Sequence, residues 1–360
     1  HGVFLEDGAE RFNVIRKNVV ALTKRPAPGE ELTPSDNEAN EVQNRTPASY
    51  WITNPENTFE DNVAAGTQGT GYWFIMPTQP LQPSRNLPYY SGLQPHRRPL
   101  ISFKRNKAHS CMSGFDIFDR LTSSHAIQRN GGWDNSSQQI MEDCTWYAND
   151  MAIYAGIGTP GYQENVIYRD NIFIDNKVGL MLATYNHVED SIFVADSHEG
   201  LWSGLRRLYR AYDGAGRVRN CHLVGWDAPN ANFLHNTGAA TKHVNHRFSG
   251  ITTDHAGTVR AEMTDYDINP PPNIDANGAG HPRLWSIVIK DEDGSLTGVP
   301  NSSMVTNHPF LLVGDEYQPP NWTRVYRSSH EFALALEDPG GNRPNVTVRR
   351  TKPGTPDASV

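Results

Sequence analysis

A short segment recurs along this chain, and that recurrence limits the folds open to it more than any other feature. It reads NVAAGTQGTGYWF from Asn62, NKAHSCMSGFDIF from Asn106, DCTWYANDMAIYA from Asp143 and NIFIDNKVGLMLA from Asn171. Weaker copies follow as SIFVADSHEGLWS from Ser191 and NCHLVGWDAPNANF from Asn220. Each opens on a polar, usually amide, residue and a short apolar run, then turns and enters a second apolar run. In the later copies the spacing is about 20 to 30 residues, the length of one solenoid coil.

Strands this short cannot bury an apolar side alone. Stacked coils close a core and pair each strand with the strands above and below it. Side chains at one coil position then stack along the axis, and an Asn at a turn can bond the backbone of the neighbouring turn. The five-residue spacing of Asn13 and Asn18, Asn57 and Asn62, and Asn171 and Asn176 suits such ladders. The expected fold is all-β, a right-handed parallel β-helix with long loop excursions. The competing reading is a β-sandwich with coincident Asn turns. With 37% hydrophobic residues, 30 Gly and 25 Pro, the composition disfavours helical bundles and suits a turn-rich β protein.

The β-helix is expected over residues 1–337, with 338–360 a Pro/Gly/Arg-rich tail, extended or disordered. Residues 25–48, 77–99 and 268–282 break the period. They read as excursions from the stack, and long loops on a rigid scaffold commonly carry the binding surface. The chain begins at His1 inside what looks like a motif, which reads as a processed or truncated terminus. No apolar run approaches about 18 residues, so no membrane span is expected.

The formal net charge of −8 argues against nucleic acid as the main partner. Basic residues nonetheless cluster as Arg97, Arg98, Lys104, Arg105 and Lys107, and as Arg206, Arg207, Arg210, Arg217 and Arg219. Solvated surface is the plain reading of both sets. Cys111, Cys144 and Cys221 form no disulfide framework and no C-x-x-C pair, so buried free thiols are expected. Sequons stand at Asn44, Asn135, Asn301, Asn321 and Asn345.

Several blocks carry a resemblance. HGVFLEDGAE, ALTKR and YWITNPENTFEDNVAAGTQGTGYWF resemble the β-helix region of the G8-domain hyaluronan-degrading family, and PLISFKRNKAHSCMSGFDIFD, YDGAGRVRNCHLVGW and KDEDGSLTG continue the likeness in order to about residue 335. The loops here are shorter, and the cysteine pairs of that family's first excursion are missing. The resemblance implies extracellular glycan chemistry, with hyaluronan the family's best known substrate. The first functional reading is an extracellular glycoside hydrolase acting on an acidic polysaccharide. The alternatives are a non-catalytic glycan-binding or adhesion module, and a polysaccharide lyase.

His1, Glu6, Asp7 and Glu10 are the densest titratable cluster, and glycoside hydrolysis needs two carboxyl groups. Successive strand residues face opposite sides, so Glu6 and Asp7 cannot both serve one substrate. The same oxygens could bind Ca²⁺, or Asp7-Gly8 could simply form a turn. An amino-terminal His1 could chelate copper only with a free mature amine. His109 stands where other coils carry Ala65, Trp146, Ile174 and Val194. It is a candidate acid, base or sugar ligand, or a packed histidine. The expected catalytic groups are therefore Glu6, Asp7, Glu10, His1 and His109, gathered on one groove walled by the first two excursions. Tyr89, Tyr90, Arg97, Arg98 and Asp116 are the expected substrate contacts, the tyrosines as stacking platforms. Asp116, with Asp175 and Asp213, also reads as an ordinary turn residue. Asp291 and Asp293 in KDEDGS resemble a fragment of a calcium loop without its downstream Glu.

Overall fold

A computed structural model describes residues 1–27, 47–117, 119–124, 126–128, 133–155, 164–182, 186–195, 206–211, 216–228, 231–236, 243–254, 261–263, 273–274, 280–281, 286–306, 316–323, 325–329, 332–337, 345–350 and 358–359. Most of the excursion expected over 25–48 lies outside the described residues. Strands follow one another in threes, each triplet forming one coil. Coil 1 is Val3–Phe4, Val14–Arg16 and Val19–Ala21; coil 2 is Ala48–Ile52, Thr58–Glu60 and Val63–Ala65. Coil 3 is Thr70–Phe74, Ser102–Lys104 and Lys107–His109; coil 4 is Ser113–Asp116, Asn135–Glu142 and Thr145–Tyr147. Coils 5 to 8 begin at Met151, Val178, Arg206 and Ala231, and coil 9 is Ala261–Met263 with Ser286–Asp291. Like strands of successive coils pair in parallel, so the molecule is a parallel β-helix with three long sheets. The stack ends where Ser302–Thr306 and Val325–Ser328 join the second sheet antiparallel. Phe332–Glu337, Asn345–Arg350 and Ala358–Ser359 form a separate three-stranded antiparallel sheet, so part of the segment 338–360 is paired strand.

Register places one residue type above another. The first sheet turns Tyr50, Tyr72, Phe115, Ile153 and Leu180 inward, all fully buried. The second contributes Phe59, Phe103, Met141, Tyr168 and Val188; the third contributes Ala64, Ala108, Trp146, Phe173 and Phe193. Rings stack where coils superpose, as in Tyr50 on Tyr72 at 4.6 Å and Phe173 on Phe193 at 4.5 Å between centroids. The equivalence expected for His109 needs correcting by one residue. Its register partners are Ala65 and Tyr147, and Trp146 belongs to the inward row with Ala108. Both parities of that run are apolar, so alternation in sequence could not separate them.

The corner between the second and third sheets is two residues long. Its first residue is left-handed in every described case: Lys17, Asp61, Arg105, Asp143, Asp170, Asp190, Asn220 and Gly250, with φ from 52° to 64°. Its second residue is the ladder. Asn62 Oδ1 accepts from the Asn18 backbone N–H at 3.1 Å, and Asn106 Oδ1 accepts from that of Asn62 at 3.0 Å. The Asn106 amide also donates to the Phe59 carbonyl at 2.8 Å. Asn171 does the same for Cys144 and Met141. Thus Asn62, Asn106 and Asn171 stand at turns and join each coil to the one before it. Cys144 and Cys221 occupy rungs of this ladder, their thiols donating to the carbonyls of Glu142 and Arg219 at 3.3 Å each. All three cysteines are free and buried. Burial pushes the Cys221 thiol up to about 12.

Just before this corner, an outward row on the second sheet runs Arg16, Glu60, Lys104, Glu142, Arg169, Glu189, Arg219. The sign alternates at every step. Parallel register would otherwise stack like charges, which is destabilising. Arg16 pairs with Glu60 at 3.0 Å, Lys104 with Glu142, and Glu189 with both Arg169 at 2.6 Å and Arg219 at 2.5 Å. Burial pushes the Glu189 carboxyl up, but the two guanidiniums outweigh it and hold it below the usual range.

Two measurements check this account. Asn106→Ala strands a buried N–H and a buried C=O, and should lower stability by about 2–3 kcal/mol in chemical unfolding, against under ~1 kcal/mol for Asn18→Ala at the exposed end. The native protein should resist a maleimide probe at pH 8, and the denatured chain should take up three equivalents, one for each free cysteine.

Candidate functional site

The corner between the first and second sheets varies where the other is constant. In coil 1 it is a tight turn, Glu6 to Asn13. Gly8 adopts φ 84° there, and a Cβ on it would meet Pro95 and Pro77 at 2.9 and 3.0 Å. Glu10 organises the turn: Oε1 accepts from the backbone of Glu6 at 2.6 Å and of Asp7 at 3.3 Å, and Oε2 from Gly8 at 3.1 Å. Burial raises the Glu10 carboxyl above its ordinary value, against the pull of these amides. Asp7 is buried. Its Oδ1 accepts from Ala9 N–H at 2.9 Å and its Oδ2 from Ser84 N–H at 3.2 Å, while its carbonyl accepts from Leu81 N–H at 2.8 Å. Asp7 therefore pins the excursion 77–99 onto coil 1. Glu6 is exposed.

The excursion consists of short 3₁₀ turns, Ser84–Asn86, Pro88–Tyr90 and Pro95–Arg97. Leu81 buries against Trp51, Trp73, Ile75 and Leu121 on the outer face of the first sheet. This explains why Trp51 and Trp73, which point away from the main core, are 0% and 2% exposed. Asp116 is next to Trp73 in the same row and is also buried.

Two concavities meet at Tyr90. One, of about 270 Å³, is lined by Ala9, Glu10, Arg11, Phe12, Asn13, Tyr89 and Tyr90. The other, of about 580 Å³, runs from Thr78 to Arg97 and includes Arg85, Tyr90 and His96. Tyr89 is 78% exposed and stands edge-on to Tyr90 at 5.1 Å. Arg97 faces the larger concavity and pairs with Asp134 at 2.8 Å. Arg98 turns to Glu56 at 3.9 Å. Burial, ahead of the nearby Arg97, lowers the His96 imidazole below its usual value; sequence reasoning did not single out this histidine.

The structure thus brings Glu10, Tyr89 and Tyr90 to one concavity and ties Asp7 to the same excursion. His1 lies against the first sheet, its ring 4.4 Å from Trp51 and its Nδ1 accepting from Ala48 N–H at 2.9 Å. His109 lies on the outer side of the third sheet, stacked on Tyr147 at 4.4 Å, with burial lowering its pKa. It lines none of these concavities. Asp291 Oδ2 accepts from the backbone of Leu296 and Thr297 and from the Thr297 hydroxyl, while its buried Oδ1 has no hydrogen-bond partner among the described residues; Asp293 accepts from the backbone of Gly250 and Ser295. Among the described residues no group of three or more His, Cys, Asp or Glu is placed to hold a metal ion.

Comparison with known proteins agrees with this architecture. Residues 1–115 match the family model described as CEMIP beta-helix. Fibrocystin-L of Homo sapiens is 25% identical over 337 residues, covering 89% of this chain and 7% of the relative. Cell surface hyaluronidase CEMIP2 of Homo sapiens is 32% identical over 260 residues, covering 58% and 18%. The human cell migration-inducing and hyaluronan-binding protein is 32% identical over 127 residues, covering 31% and 9%. The chain spans less than a fifth of the length of each of these relatives. The family match thus lies on coils 1 to 3 and the start of coil 4, and the similarity to fibrocystin-L runs on over the coil stack beyond them.

Proposed function

We propose that this chain binds a linear acidic polysaccharide, hyaluronan being the first ligand to test, along the rim where Pro88–Tyr90 meets Ala9–Asn13. The observation that carries this reading is the Tyr89–Tyr90 pair. Tyr89 stays 78% exposed on an excursion that Asp7 and Leu81 otherwise hold firmly against the coils. Two edge-on rings present faces in different directions to a sugar chain, and aromatic faces suit the apolar side of sugar rings. Arg85 in the larger concavity supplies a cation for a carboxylate, beside Arg97 and Arg11, which already pair with Asp134 and Glu56. Relatives named as a hyaluronan-binding protein and a cell surface hyaluronidase support the ligand class and a surface or extracellular setting. Among the described residues no helix is long and apolar enough to cross a membrane.

Glu10 favours a second reading, glycoside hydrolysis. It lines the smaller concavity, and its raised carboxyl holds a proton to a higher pH than an ordinary glutamate, as a general acid requires. Its oxygens are also committed to backbone amides, which favours binding over hydrolysis.

Tyr89→Ala with Tyr90→Ala should weaken binding to immobilised hyaluronan about tenfold, the scale of losing an aromatic platform of roughly 1–1.5 kcal/mol, without moving the unfolding transition. Unchanged affinity rejects this rim as the binding site. For the hydrolytic reading, incubation with hyaluronan should shorten chains without new ultraviolet absorbance. Glu10→Gln should then cut the rate by about 10² or more, and the wild-type rate should fall as pH rises through the raised pKa of Glu10. Shortening with new absorbance would mark a lyase; no shortening leaves binding alone.

A further inference from the structure

The second sheet carries a second outward row, two residues before the alternating one: Ile140, Ile167, His187, Arg217, Arg247 and Lys290 in successive coils. It changes from apolar to cationic partway, and then stacks three cations in register. Neighbouring strands are about 4.8 Å apart, and like charges directly opposite one another oppose folding. The adjacent row escapes this by alternating sign; this row does not. The chain as a whole carries a net charge of −8, so the local excess of positive charge is not a consequence of composition.

A concavity of about 240 Å³ opens where the row changes character, lined by Gln138, Ile167, His187, Glu189, Arg217 and Arg219, with Val188 beneath. Glu189 is already closed between Arg169 and Arg219. Arg217 has no ion-pair partner among the described residues, and the exposed Arg247 holds Glu292 only at 3.4 Å. His187 Nδ1 is buried with no hydrogen-bond partner. Burial, and then Arg217, keep that imidazole below its usual pKa, so the ring is neutral near pH 7. The pocket therefore offers a guanidinium, an imidazole and an amide above an apolar floor at Ile167. A guanidinium takes a carboxylate in a two-pronged hydrogen bond, and Ile167 suits the apolar face of a sugar ring.

We infer that this pocket is a second glycan subsite, taking the carboxylate of a uronic acid on Arg217, with Arg247 and Lys290 extending the track along the stack. It rests on the acidic-polysaccharide reading and lies on the second sheet rather than at the Tyr89–Tyr90 rim. The test measures affinity of the whole chain for hyaluronan oligosaccharides of defined length and for a single-stranded oligonucleotide. The proteins compared are wild type, Arg217→Gln, Arg217→Lys, the Tyr89→Ala/Tyr90→Ala pair, and the pair combined with Arg217→Gln. Arg217→Gln should lose about tenfold on long oligosaccharides, Arg217→Lys should recover part of it, and the combined variant should show the product of the two losses, as separate sites do. Loss with the tyrosine pair but none with Arg217→Gln overturns this subsite and leaves the proposed function standing. Loss with Arg217→Gln but none with the tyrosine pair supports the subsite and removes the rim. An equal loss on the oligonucleotide overturns it in favour of plain ion exchange, and a wild type that binds no hyaluronan overturns both readings.

Discussion

Most of the molecule follows from how the chain satisfies its own backbone at the corner between the second and third sheets. A coil that turns in two residues leaves an amide and a carbonyl facing the neighbouring coil, inside the stack and away from water. An unpaired buried group of this kind is costly. Where the rung is Asn62, Asn106 or Asn171, one carboxamide answers both needs, accepting from one backbone group and donating to another, as Asn106 does for Asn62 and Phe59. The left-handed residue before it aims the chain correctly, and Asp and Asn tolerate that conformation better than most side chains. The geometry repeats, so coils superpose in register, and register then dictates everything stacked above and below.

Register has consequences for charge. A parallel in-register sheet sets every outward residue above its counterpart, so charge on one rung must be answered on the next. From Arg16 to Arg219 the answer is alternation, and Glu189 between two arginines shows how far it goes: a carboxylate largely out of water that stays ionised. Exposed pairs individually contribute little, so this row serves chiefly to avoid repulsion. Where the rule is relaxed, at Arg217 and Arg247, the sheet presents cations with fewer internal partners, and that difference between two adjacent rows is what gives the second face its character.

The other corner has no such constraint, and the described excursion 77–99 leaves the stack there. Between the first and second sheets the chain can leave the stack and return without disturbing the ladder. The turn at Glu6–Asn13 and the excursion 77–99 both depart at this corner, and Asp7 joins them through Ser84 and Leu81. Polar residues that look catalytic in sequence acquire structural duties by this arrangement. Asp7 and Glu10 hold backbone amides, and Tyr89, an aromatic in a Pro-rich run, is left facing solvent.

The amino-acid order alone determined the repeat, the amide rungs at Asn62, Asn106 and Asn171, the free thiols and the departure of the excursion 77–99, because each is a local matter of turn chemistry and short-range pattern. The exposed aromatic pair was also legible, since Tyr89-Tyr90 sits in a segment too rich in proline to be core. Tertiary structure decided what local pattern cannot hold. Which parity of a short apolar run faces inward put Trp146 in the core and left Tyr147 beneath His109. Stacking separated His109, on the third sheet, from His1 on the first. It also joined Arg217 to His187 and Arg247, residues about 30 apart in sequence, instead of to the neighbouring Arg206 and Arg207. Adjacency along the chain in a β-helix runs around the coil, whereas the contacts that build a binding face run along the axis, one full coil away.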